Sequence, residues 1–353
     1  MAKDIVIVGA GVIGLSVAYQ LITEHNYPSP KIKIVSQDFP TTGLLNPHYT
    51  SSKSGAHFRP FPSKSDVELR DSKLARPTYH FFKKLARSHP ESSVKWIDGY
   101  DFIERDDELY ETLAPGYTEE IDDFTVIPKH QLPLNIKFGA KYKTWAINSP
   151  AYLEFLENAL RYKYGVLMIK HGANSLFQLS NLYPNHLIIN CTGRGLQFNG
   201  GYDPRSFPIR GQTLLVRPPL NSPLENKTVT YQLKDGSWIF VIPRPLNGGI
   251  ILGGTKQPNS WDDHPSDKDT QHLIKLGKQY FPELLINGQE FDIKRINVGF
   301  RPAREGGVRI AKYVSNSGVE VIDCYGFGGS GMEMSWGAAE QVADLLFSIK
   351  SKL

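Results

Sequence analysis

Gly9, Gly11 and Gly14 stand at the spacing with which a chain wraps the pyrophosphate of a dinucleotide, directly after the apolar run Ile5-Val6-Ile7-Val8. Gly9 suits the tight turn, Gly11 lets backbone approach the phosphates with no Cβ between, and Gly14 lets the next helix pack close to the strand. With Ala10, Val12 and Ile13 they place a helix N-terminus against the anion. Asp38 follows somewhat beyond the usual interval of about twenty residues, where an acid accepts hydrogen bonds from a ribose diol. Three later segments bring other chemistry: Pro208-Ile209-Arg210-Gly211-Gln212, the stretch 297–307 with Arg301 and Arg304 held between Pro and Gly, and the glycine-rich loop 325–337. The glycine spacing alone fits NAD as well as FAD.

The elements that must hold these residues read as one α/β unit assembled from separated stretches. Residues 5–21, 31–35, 151–191 and the chain from about 319 onward alternate apolar strands with helical periodicity, the last helix marked by Ala338, Val342, Leu345 and Ile349. Leu187-Ile188-Ile189-Asn190-Cys191-Thr192-Gly193 is a buried strand ending in a turn, the way a central parallel strand delivers groups to a ligand. Residues 211–298 show strand-like alternation in 213–216, 238–242 and 250–252. The expected fold is a parallel-sheet, Rossmann-like nucleotide domain from 1–57, 145–210 and 299–353. Interleaved with it is an α+β domain from 58–144 and 211–298, with a large, mainly antiparallel sheet and a ligand site between the two.

Composition narrows the classes. The 353 residues are 40% hydrophobic and 22% charged, with a net charge of +4 and no dominant basic block, so nucleic acid is not an expected partner. No apolar run is long enough to cross a membrane. The two cysteines, Cys191 and Cys324, lie far apart in apolar settings and read as buried free thiols; no metal-ligand spacing is present. The first strand begins too early to leave room for a leader. Ser351-Lys352-Leu353 is the tripeptide read by the peroxisomal import receptor, so the expected compartment is the peroxisome matrix.

The order of segments resembles the D-amino-acid oxidase family, FAD flavoproteins that include D-aspartate oxidases. The resemblance spans nearly the whole chain: the first glycine turn, Asn190-Cys191-Thr192-Gly193, Arg210-Gly211-Gln212, Ile242-Pro243-Arg244-Pro245, Gly253-Gly254-Thr255 with Trp261, Gly299-Phe300-Arg301-Pro302, and Tyr325-Gly326 through Trp336-Gly337. It implies FAD as cofactor, held by Gly9 to Gly14, Asp38, Ser51, Ser52 and Gly55, by Thr192 and Gly193, by Arg301, and by Gly328, Gly329, Ser330, Gly331 and Met332. It implies oxidation of a free D-amino acid with oxygen as the second substrate, giving a 2-oxo acid, ammonia and hydrogen peroxide. Arg301 takes the α-carboxylate position, where a guanidinium binds bidentately, and Gly329 adjoins the substrate.

The chain also departs from that family. A tyrosine that precedes the Ile-Ile-Pro segment elsewhere is Phe240 here, and Tyr231 is the candidate replacement. His57, Arg59 and Lys256 stand where neutral residues are usual in the general oxidases. Extra cationic groups favour a dicarboxylate, because a buried carboxylate is costly unless paired. The reading therefore leans to acidic substrates such as D-aspartate. The alternatives are a broad oxidase of neutral D-amino acids, a related FAD amine oxidase and a non-catalytic nucleotide-binding module; self-association stays open.

Overall fold

A computed structural model describes residues 2–348, so Ile349 and Ser351-Lys352-Leu353 lie outside the described residues. All side chains of Ile5–Val8 are buried, as a strand covered on both faces requires, and the strand pairs in parallel with Ile32–Ser36 and Leu187–Asn190. The resulting six-stranded sheet runs Arg309–Val314, Glu320–Tyr325, Leu187–Asn190, Ile5–Val8, Ile32–Ser36, Leu167–Lys170. All its pairs are parallel except the edge pair of Arg309–Val314 with Glu320–Tyr325. Helices Val12–Thr23 and Gly331–Phe347 pack against each other on one face. Phe81 of helix Ala75–Ser88 stacks on Trp336 of the last helix, with centroids 3.6 Å apart.

The second sheet has nine strands, in the order Gln257–Pro258, Ser206–Arg217, Ile250–Gly253, Trp238–Pro243, Lys227–Gln232, Lys95–Ile103, Phe138–Ala146, Thr125–Val126, with Asp292–Arg304 also paired to Ser206–Arg217. It is antiparallel apart from the pair Lys95–Ile103 with Lys227–Gln232. The α/β fold with one parallel and one mainly antiparallel sheet is thus the observed architecture. Strands Ser206–Arg217 and Asp292–Arg304 run straight through the expected domain boundaries at 210/211 and 298/299, so the two layers are joined by continuous strands at those points. One face of the large sheet is apolar and covered by helix Asp267–Tyr280, through Leu273 and Phe281 beyond its end. The opposite face looks into a cavity. Cys191 and Cys324 are both free and buried, as expected.

Candidate active site

A cavity of about 840 Å³ runs from the ends of Ile5–Val8 and Leu187–Asn190 to the uncovered face of the nine-stranded sheet. Its first half is backbone. Gly9, Ala10, Gly11, Val12 and Ile13 line it. Gly9 has φ +104°, and a Cβ there would lie 2.5 Å from the Cys191 carbonyl oxygen, so only glycine closes this turn. Gly14 does not line the cavity; a Cβ on it would strike the Gly9 carbonyl, and it holds helix against strand as its spacing predicts. The N-terminus of Val12–Thr23 has no side-chain cap from Gly11; the Val12 N–H donates to Ser51 Oγ at 3.0 Å. Asp38 lines the same end and accepts from Asn46 Nδ2 at 2.8 Å. Thr192 and Gly193 line it as well, with Thr192 Oγ1 donating to Asn190 Oδ1 at 2.8 Å. Ser51 and Gly55 reach the cavity. Ser52 does not: it is buried with its hydroxyl on the Tyr49 carbonyl oxygen at 3.0 Å, so this expected cofactor contact is corrected to a local turn.

The second half is built around Arg301. Its guanidinium lies over Gly211, where a Cβ would be 2.3 Å from Nη1, and its stem passes Gly329, where a Cβ would be 3.4 Å from Cδ. Nη1 donates to the Thr255 carbonyl oxygen at 3.1 Å, and among the described residues no carboxylate lies within ion-pair distance. Burial alone pushes its pKa down from the usual arginine range. A cation shielded from bulk water that faces a cavity without a counter-ion is arranged for an anion from outside. Gly328, Gly329, Ser330, Gly331 and Met332 line the wall beside it, and the helix they open has no cap from the Ser330 side chain.

Register decides between Phe240 and Tyr231. Strand pairing sets Phe240 opposite Thr230 and Ile239 opposite Tyr231. Side chains alternate, so Phe240, Thr230 and Gln232 line the cavity while Tyr231 points to the covered face, packed on Phe102, Tyr280 and Phe281. The expectation that Tyr231 replaces the lost phenol is therefore corrected.

The three candidate cations differ. His57 lines the cavity, and burial beside Arg59 pushes its pKa down to about 3. Thr228 Oγ1 donates to the Val241 carbonyl oxygen and so accepts from His57 Nδ1 at 2.6 Å, which leaves neutral His57 presenting an acceptor at Nε2. Arg59 Nε donates to Asp101 Oδ1 at 2.8 Å and Nη2 to the Tyr110 hydroxyl at 2.9 Å. Asp101 is fully buried, so the Arg59 charge is already neutralised. Lys256, unlike Arg59, has no carboxylate within ion-pair distance among the described residues; its Nζ lies 5.8 Å from the Trp238 ring centre.

Among the cavity residues that sequence reasoning missed, four bear on the chemistry. Tyr110, Gln232 and Arg105 form one network: Gln232 Nε2 donates to the Tyr110 hydroxyl at 2.7 Å, and Arg105 Nη2 donates to Gln232 Oε1 at 3.1 Å and Asp107 Oδ2 at 2.9 Å. Gln232 shares strand parity with Thr230, a signal that was available. Glu333, in the first turn of the last helix, also lines the cavity. Burial pushes its carboxyl up to about 7, against the opposing influence of the Arg59 charge and backbone N–H and the Ser330 hydroxyl. An acid inside a glycine-rich loop was the legible sign.

A glycine-built cradle at a parallel-sheet switch point, joined by one cavity to a half-buried arginine with no carboxylate partner among the described residues, fits a dinucleotide-dependent oxidoreductase whose substrate carries a carboxylate. The family model for FAD dependent oxidoreductases matches residues 4–345, and the chain belongs to that family. Its cofactor is FAD, which the Gly9–Ile13 backbone, Asp38 and the Gly328–Met332 backbone fit. It is 36% identical to a D-aspartate oxidase of Talaromyces thermophilus over 99% of this chain and 96% of that protein. It is 34% identical to a D-amino-acid oxidase of Schizosaccharomyces pombe over 96% of this chain and 94% of that one. Among solved structures, the fold is shared with L-proline dehydrogenase of P. horikoshii at TM-score 0.70 and 16% identity, covering 98% of this chain and 93% of that one. Glycine oxidase of Geobacillus kaustophilus matches at TM-score 0.69 and 15% identity, covering 98% and 94%.

Proposed function

We propose that the chain is an oxidase of free D-amino acids with a preference for acidic side chains. FAD, when bound, supplies the two-electron acceptor; oxygen then takes those electrons as hydrogen peroxide, and the imino acid hydrolyses to a 2-oxo acid and ammonia. The observation that carries this reading is Arg301, a cavity-facing guanidinium with no carboxylate partner among the described residues, continuous with the dinucleotide cradle. Arg301 holds the α-carboxylate and so orients Cα; Phe240 and Trp238 give an apolar wall that excludes water. The D-configuration is supported by the names of the relatives. Lys256 supports the acidic preference, as a cavity-lining cation with no carboxylate partner among the described residues. A second reading, neutral D-amino acids, is favoured by the neutral His57 and the neutralised Arg59. The tripeptide Ser351-Lys352-Leu353 supports a peroxisomal address for chemistry that makes peroxide.

Mixing the purified yellow protein without oxygen with D-Asp, D-Glu, D-Ala and their L-enantiomers tests both parts. Bleaching by D-Asp at least about tenfold more efficient than by D-Ala is expected, with no bleaching by L-forms. Faster bleaching by D-Ala selects the neutral reading, and none by any amino acid sinks the proposal.

A further inference from the structure

A free amino acid enters as a zwitterion, and its nitrogen must lose a proton before the lone pair can drive hydride from Cα. The cavity therefore needs an acceptor near Arg301. Asp38 sits at the dinucleotide end on Asn46, and Glu68 is half-buried, with Oε2 taken by the Lys64 N–H at 2.7 Å. His57 at a pKa of about 3 accepts a hydrogen bond but does not keep a proton. Lys53 is tied to the Leu44 carbonyl oxygen. Glu333 remains. It stands two residues after the Gly328–Gly331 loop that flanks Arg301, in the first turn of the last helix, and it makes no ion pair within 4.0 Å among the described residues.

We propose, resting on the amino-acid oxidase reading, that the Glu333 carboxylate is the base that takes the α-ammonium proton of the bound substrate. The N–H bond breaks, an O–H bond forms on Glu333, and the neutral amine stays beside a neutral acid; no oxidant enters this step. The groups around Glu333 suit a reversible proton. Arg59 faces it from the segment paired along Phe138–Ala146, Arg76 from helix Ala75–Ser88, Tyr142 from the strand, and Ser330 from its own loop. Arg59 is held by Asp101, and Arg76 Nη2 is engaged by the Gly116 carbonyl oxygen at 2.8 Å, so neither locks the carboxylate in an ion pair. A carboxyl poised near neutrality is matched to its task at physiological pH.

The test is anaerobic flavin reduction by a D-amino acid across pH, in wild type, Glu333→Gln and Glu333→Ala at equal FAD content. In wild type the second-order rate should rise roughly tenfold per pH unit and level off near the Glu333 ionisation. In both variants it should fall at least about tenfold at neutral pH. It should then climb back toward wild type near about pH 10, where an aliphatic amine sheds its proton unaided. A uniform loss at every pH marks a structural role, and an unchanged profile removes Glu333 from the step; either overturns the proposal. Propionate, a carboxylate without an amine, gives a readout independent of turnover: its perturbation of the flavin spectrum should weaken as Glu333 ionises in wild type and stay flat in Glu333→Gln. Equal pH dependence in both overturns the proposal too. If wild type is not reduced by any D-amino acid, the oxidase reading itself has failed.

Discussion

Two half-buried arginines face one cavity, and they are built in opposite ways. Arg59 is held by Asp101 and Tyr110 in a closed network, and its positive charge is used up inside the protein. Arg301 has one carbonyl contact, glycines at Gly211 and Gly329 that make room for its side chain, and no counter-ion among the described residues. Paired buried charges hold structure, because removing either partner strands the other in a medium of low polarity. An unpaired buried charge costs stability and persists where a ligand completes it. The same residue type thus marks framework on one wall and function on the other.

Arg301→Met should lower the second-order rate of flavin reduction for every substrate by roughly a thousandfold, about 4 kcal/mol, with little loss of fold stability. A large drop in melting temperature with activity retained would reverse the contrast. Arg59→Met should do the opposite, costing about 3 kcal/mol in denaturant unfolding at neutral pH because Asp101 is left buried without its partner; adding Asp101→Asn should restore much of it. Burial already pushes the Asp101 pKa up, so the loss should shrink in acid, where that carboxyl is protonated.

Glu333 sharpens the comparison from the acidic side. Its folded pKa, raised to about 7, means that the stability present below its unfolded value is lost as pH rises through about 7. Glu333→Gln should therefore melt no differently at acid pH, yet be more stable than wild type by at most about 3 kcal/mol at pH near 8. The smallest effect belongs to Lys256. Lys256→Ala should lower efficiency on D-Asp by about tenfold and leave D-Ala nearly unchanged, the scale of one partly exposed ion pair in a site. Equal losses on both substrates would remove Lys256 from side-chain recognition.

Much of this was legible in local pattern. The glycine turn and the strand of Ile5–Val8 lie where the spacing puts them, and the alternation in 238–242 places Trp238, Phe240 and Ile242 on one face. Tyr231 misled because parity on one strand says nothing about which face of a sheet a neighbouring strand shares. The pairing of Phe240 with Thr230 answers that. Ser52 misled for a related reason: neighbouring serines at a turn point in different directions, one to the Val12 N–H and one back to Tyr49.

The sequence by itself determined the glycine turn of the dinucleotide cradle, the strand and helix on either side of it, and the presence of Arg301 in a rigid segment. These rest on contacts between near neighbours, where spacing and residue type set the geometry. Only the tertiary structure decided which charges are free. Arg59 and Asp101 are 42 residues apart, brought together because the segment at His57 runs along Phe138–Ala146, which pairs with Lys95–Ile103. Whether a cation serves the fold or a ligand depends on the partner that a distant strand delivers, and no local pattern carries that information.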